Sequence, residues 1–180
     1  SCSLVGSEMC IRDRILAGVS NLLYNETLGN IMQGNLDQLG APEFSKEEHL
    51  YAKKYQDTLT RKDIESAYSH AGIDLVEGQV LAETVVAGDV KPVDMGGSTD
   101  VADVSWVVPT VSLWGANYAI GTPFHSWQMT AQGKSSIAIK GMTHAAMVMA
   151  ATGYDLISNK TILDDAWSEH NKTIEKTGYM

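Results

Sequence analysis

Whether this chain holds a β-sheet turns on one stretch, VSWVVPTVSLW, Val104 to Trp114. It is dense in β-branched and aromatic residues, which pack well on a pleated, half-buried surface. Pro109 has no N–H to give to a ladder, so the reading is an edge strand, a bulge or two short pieces. Ile15 to Asn25 reads as a strand and its connection, Asp74 to Pro92 as strand and loop, and GANYAIGTP, Gly115 to Pro123, as strand and turn.

Between these lie helical segments. Leu28, Ile31, Met32, Leu36 and Leu39 recur at helical spacing, and Gly40 with Pro42 ends the run. SKEE at Ser45 is a capping box, with Tyr51, Ala52, Tyr55 and Leu59 on the helix behind it. TRKD at Thr60 starts another helix that Gly72 ends. A long helix is expected from Ser135 to about Ile157, with Ala138, Met142, Ala145, Met149, Thr152 and Leu156 forming a stripe able to approach a sheet closely. A last helix is expected near Ile162 to Lys176. Helices and strands mixed in one core imply an α/β layer architecture.

Composition narrows the function classes. The 180 residues are 44% hydrophobic and 19% charged, the pattern of a folded globular chain. A formal net charge of -9 disfavours nucleic acid and anionic membrane as partners. No apolar run is long enough to cross a bilayer. The two cysteines, Cys2 and Cys10, are too few for a disulfide framework, and such low usage suits a reducing cytoplasm. SEMCIRDR, Ser7 to Arg14, resembles a translated sequencing-adapter artefact, so residues 1–14 are expected to be a non-native leader that packs poorly.

Two stretches could carry chemistry. In MGGSTDVADVSW, Met95 to Trp106, paired glycines let backbone approach a ligand, and Ser98, Thr99 and Asp100 offer hydroxyls and a carboxylate; the same residues also make an ordinary turn. In IGTPFHSWQ, Ile120 to Gln128, His125 follows a Gly-Thr-Pro turn and is a core filler, a metal ligand or a base. A Ser98–Asp100–His125 triad is disfavoured because no G-x-S-x-G elbow surrounds the serine. Glu47, Glu48 and His49 read as the first turn of a solvated helix, where carboxylates favour the dipole. His70, His144 and His170 lie in helices without a ligand partner at i+4, which favours structural roles.

GGSTDVADVSWVVP, then AIGTPFHSWQ, then GKSSIAIKGMTHAAMVMAATGYDL, in that order, resemble the C-terminal part of the di-metal amidohydrolase family that includes aminoacylases and glutamate carboxypeptidases. The likeness extends back through NLLYNETLGNIMQGNLDQLGAPEFSKEE. It implies the C-terminal half of a three-layer α/β/α catalytic domain over residues 26–180. Residues 15–25 would close an inserted dimerisation domain. With half a domain missing, apolar residues of Val104 to Leu113 would be unusually accessible. The implied activity is hydrolysis of the amide between an acyl or aminobenzoyl group and an amino acid such as glutamate. The implied assembly is a homodimer, or a heterodimer with a related subunit.

By the same resemblance His125 matches the final metal ligand, and Gly97, Ser98, Thr99, Asp100 and Thr122 line the substrate pocket. Two divalent ions, zinc or manganese, would polarise the carbonyl and activate a water, with a glutamate as base. The chain departs from that pattern: the His-x-Asp ligand pair, a Glu-Glu pair in the right loop and the insert domain's histidine are all absent. No catalytic residue is therefore assigned, and the chain alone is expected to be inactive. The alternative reading is a non-catalytic scaffold subunit.

Overall fold

A computed structural model describes residues 20–88 and 99–177. The expected leader, both cysteines, Gly97 and Ser98 lie outside the described residues. Among those described are seven α-helices and no strand. The helices are α1 (Glu26–Leu39), α2 (Lys46–Gln56), α3 (Arg61–Ala71), α4 (Asp100–Ser105), α5 (Trp127–Gln132), α6 (Ser136–Ser158) and α7 (Lys160–Thr177). The expectation of a three-layer α/β/α domain is thus overturned.

The physical reason is visible where the sheet was expected. Thr99 Oγ1 accepts from Val101 N–H, and acidic Asp100 and Asp103 sit in the first turn. That favours helix at the segment's start, so α4 takes Val104 and Ser105. Beyond it the chain turns at Trp106 to Val108 and continues without regular structure, with no partner strand among the described residues. Ile120 N–H donates to Val80 O at 2.9 Å, one bond rather than a ladder. β-propensity measures fit to neighbouring strands, and the described residues supply none. Val104, Val107 and Val108 are exposed, while Val111 and Leu113 are half-buried.

The expected helices form with the expected stops. Asn25 Oδ1 accepts from Leu28 N–H at the start of α1, and Gly40 ends it in a positive-φ conformation. Ser45 with Glu48 and Thr60 with Asp63 complete reciprocal capping boxes on α2 and α3. Ser135 caps α6 through Ala138 N–H at 3.1 Å.

Helices α1, α6 and α7 pack together as one unit. Its polar ties are specific. Asn25 Nδ2 donates to Ala166 O at 2.9 Å, and Glu169 accepts from Glu26 N–H and Thr27 N–H at 2.6 and 2.9 Å. An α7 carboxylate therefore sits on the α1 N-terminus, where free N–H groups and the dipole favour an anion. Asn35 Nδ2 donates to Asp155 Oδ2, and His144 Nε2–H donates to Gly40 O. His170 is buried edge-on to Trp167.

A second cluster joins Ala52, Val80, Leu81, Ala119 and Ile137, flanked by Phe44, Tyr51 and Tyr55. Fully burying Leu81 and Ile137 contributes about 1.5–3 kcal/mol each. On α6 the inner face is Ile137, Gly141, Val148 and Thr152, whereas Met142 and Met149 of the expected stripe point outward. Gly141 sets that rotation, because a Cβ there would lie 2.5 Å from Ala116 O.

Glu48 is not solvated as the sequence suggests; it is buried and accepts from Ser45 N–H at 2.6 Å and Lys140 Nζ at 2.7 Å. Burial pushes its pKa up, but the bonds from Lys140, Ser136 and Ser45 and the Lys140 charge outweigh this and hold it at about 2. His49 lies between Ser45 O and Glu83, whose acceptors raise its pKa.

These contacts set the stability of the fold in testable ways. Gly141→Ala would collide with rigid backbone at Ala116, and we expect a loss on the order of 1–3 kcal/mol in chemical denaturation; an unchanged midpoint would contradict the packing. Because the folded pKa of Glu48 lies below the ordinary value of about 4.3, its stabilisation is present above that pH and is lost as pH falls toward 2. Glu48→Gln should therefore lower stability at pH 7 and flatten the acid limb of the stability curve, measured by thermal melts across that range.

Candidate functional site around the His125 loop

Residues Ala119 to Ser126 form the loop that carries His125, and buried side chains pin it from within. Gln132, at the end of α5, is fully buried. Its Oε1 accepts from Ala119 N–H at 2.9 Å, while Nε2 donates to Thr122 Oγ1 at 3.0 Å and Gln128 O at 3.1 Å. Thr122 Oγ1 donates to Ala119 O at 2.7 Å. From the other side Gln56 Nε2 donates to Gln79 O at 3.0 Å and Ile120 O at 3.4 Å.

Gly121 has φ +91 and is buried, and a Cβ on it would meet Ile64 Cα at 3.0 Å. Only glycine meets both conditions cheaply, one backbone and one steric. Ser126 closes the loop: its hydroxyl donates to Pro123 O at 2.7 Å and accepts from Met129 N–H to cap α5. Between them His125 itself takes a left-handed φ of 58, unusual for a residue with a side chain, and is exposed. Its ring has no hydrogen-bond partner among the described residues, unlike His49 and His144.

Aromatic side chains surround this loop in the sequence and in space. Trp114 and Phe124 meet edge to face, ring centroids 5.6 Å apart at 62°. Trp127 stacks near Tyr55 at 6.2 Å, and Tyr55 meets Tyr51 at 5.0 Å.

Of the expected site residues, Thr122 and His125 share this loop. Thr122 is held by Gln132 and Ala119, so its hydroxyl already has both roles filled. Thr99 and Asp100 lie at the start of α4, both exposed. Helix α4 is tied to the chain before α1: Leu23 N–H donates to Ser105 Oγ at 2.8 Å and Ser20 N–H to Asp103 Oδ1 at 3.0 Å. Among the described residues no hydrogen bond joins Thr99 or Asp100 to the His125 loop.

The donor set does not complete a metal centre. No group of three or more His, Cys, Asp or Glu able to hold an ion occurs among the described residues. An ion in such a site needs about three protein ligands, so these residues cannot hold one by themselves. A cavity of about 520 Å³ lies elsewhere, lined by Ser45, Glu48, Tyr51, Lys134, Ser135 and Lys140. The Glu48–Lys140 pair already satisfies its charges. No described helix is long and apolar enough to cross a membrane.

Sequence reading missed Gln132 and Gln56, whose partners are distant in sequence, and it missed α5. A local signal for α5 was present: Ser126 precedes a run without Gly or Pro, the pattern of an N-cap.

The chain is similar to one of the subunits of p-aminobenzoyl-glutamate hydrolase from Escherichia coli (strain K12), at 37% identity over 183 aligned residues. The alignment covers 96% of this chain and 38% of that protein. Identity at that level over nearly the whole chain makes the two homologous. The chain spans well under half the length of its relative. No family model and no solved structure matches it.

The loop geometry yields one prediction. Gln132→Leu keeps the volume but leaves Ala119 N–H buried without its acceptor, which costs about 1–3 kcal/mol. Amide hydrogen exchange at Ala119 and Thr122 should speed up ahead of the rest of the core; uniform protection in the variant would show that Gln132 does not hold the loop.

Proposed function

We propose that this chain is part of a hydrolase that cleaves the amide between an acyl or aminobenzoyl group and an amino acid such as glutamate. The observation that carries the reading is the 37% identity to a p-aminobenzoyl-glutamate hydrolase subunit along 96% of the chain. The relative's description as a subunit supports an assembly of more than one chain, a homodimer or a heterodimer with a related subunit. We place the activity in the cytoplasm.

His125 is the residue proposed to bind a divalent ion, zinc or manganese. Its support is an exposed ring without a hydrogen-bond partner among the described residues, on a loop whose backbone is held on both sides. The remaining ligands and the proton-transferring group would come from the rest of the protein, since the described residues do not supply them. A bound divalent ion would supply carbonyl polarisation and an acidified water. Gly97, Ser98, Thr99, Asp100 and Thr122 are proposed to line the substrate pocket. Thr122 would act through its backbone and its hold on the loop, because its hydroxyl is already engaged.

The test uses the full-length protein with any co-purifying subunit, following release of p-aminobenzoate from p-aminobenzoyl-glutamate. His125→Ala should reduce bound metal, read by elemental analysis. It should also lower kcat/KM by more than the roughly 10–100-fold that losing an outer-shell partner costs. Unchanged metal content and activity would overturn the assignment. A full-length protein that binds no metal, yet raises the activity of a partner chain, would favour the scaffold reading instead.

A further inference from the structure

Trp114 and Phe124 are large apolar side chains that the fold leaves open: 66% and 47% exposed, yet in mutual edge-to-face contact. Phe124 directly precedes His125 on the loop held by Gln132, Gln56 and Ser126. An exposed Trp costs free energy in hydration, and two aromatic rings held at a fixed angle offer a preformed surface for a third. The same loop therefore presents an imidazole without a hydrogen-bond partner among the described residues and, one residue away in sequence, an aromatic face.

Resting on the hydrolase reading above, we propose that the Trp114–Phe124 pair is the subsite for the aryl ring of the acyl group. The ring would stack on it while the scissile amide lies toward His125. A planar electron-rich ring such as aminobenzoyl gains from an offset or edge contact, whereas a small aliphatic acyl group such as acetyl gains little. The pair would thus select among acyl groups, acting as a specificity determinant with no part in bond cleavage.

The experiment compares p-aminobenzoyl-glutamate with N-acetyl-glutamate in the full-length protein and in Trp114→Ala and Trp114→Phe. Trp114→Ala should lose roughly five- to tenfold in kcat/KM for the aryl substrate, mostly through KM, the size of one aromatic contact. The acetyl substrate should change less than about twofold, and Trp114→Phe should restore most of the loss. Equal losses on both substrates, or no loss on the aryl one, would overturn the proposal. If the wild-type protein hydrolyses neither substrate, the hydrolase reading fails on its own, and calorimetric binding of the same two compounds decides the subsite. A wild-type preference for the aryl compound that Trp114→Ala abolishes supports it; no preference, or no binding, overturns it.

Discussion

Every backbone N–H and C=O taken from water needs a partner, and among the described residues no strand ladder provides one. Side chains fill that role. Gln132 serves Ala119 N–H, Gln56 serves Gln79 O and Ile120 O, Ser105 serves Leu23 N–H, and Asn25 serves Ala166 O. Three of the buried polar residues, Gln56, Ser105 and Gln132, thus partner backbone of irregular segments, whereas Asn25 caps α1 and ties it to α7. An unpaired buried amide costs about as much as fully burying a Leu or Ile side chain gains, so each of these positions constrains the path of the chain around it.

That constraint explains why an irregular segment can hold a fixed geometry. Loops are the usual carriers of binding residues, but precision requires support from rigid elements. Here the 119–126 loop is clamped by α5 through Gln132, by α2 through Gln56, and by α3 through the contact of Gly121 with Ile64. The left-handed backbone at His125 is tolerated because the residues on either side are fixed. Substitutions at Gln132 or Gly121, neither of which bears chemistry, would disturb His125 as surely as a change beside it.

The apolar surface is also informative. Val104, Met142, Met149 and Ile157 face solvent on helices whose opposite sides are buried. In α6 the inner face uses Gly141 to admit the Ala116–Asn117 backbone, so the larger apolar residues are displaced to the other side. The relative is longer than this chain, which covers 38% of it.

The presence of α1, α2, α3, α6 and α7 was legible in the sequence, and so were the stops at Gly40 and Gly72 and the pairing of Ser45 with Glu48. Caps, stops and helical periodicity act within about four residues, so their partners lie in the same short window. The same logic, applied to Thr99, Asp100 and Asp103, contained the signal for α4; the β-branched run after it masked that signal. The motif order around His125 pointed to the right relative, because a long ordered pattern survives without any knowledge of geometry. Only the tertiary structure decided that Glu48 is buried beneath Lys140, 92 positions away, and that Gln132 and Gln56 hold the His125 loop. It also decided that Val104 to Trp114 lies against no strand among the described residues. A strand, like a buried ion pair, is defined by what packs against it. That partner lies far along the chain, where local propensity carries no information.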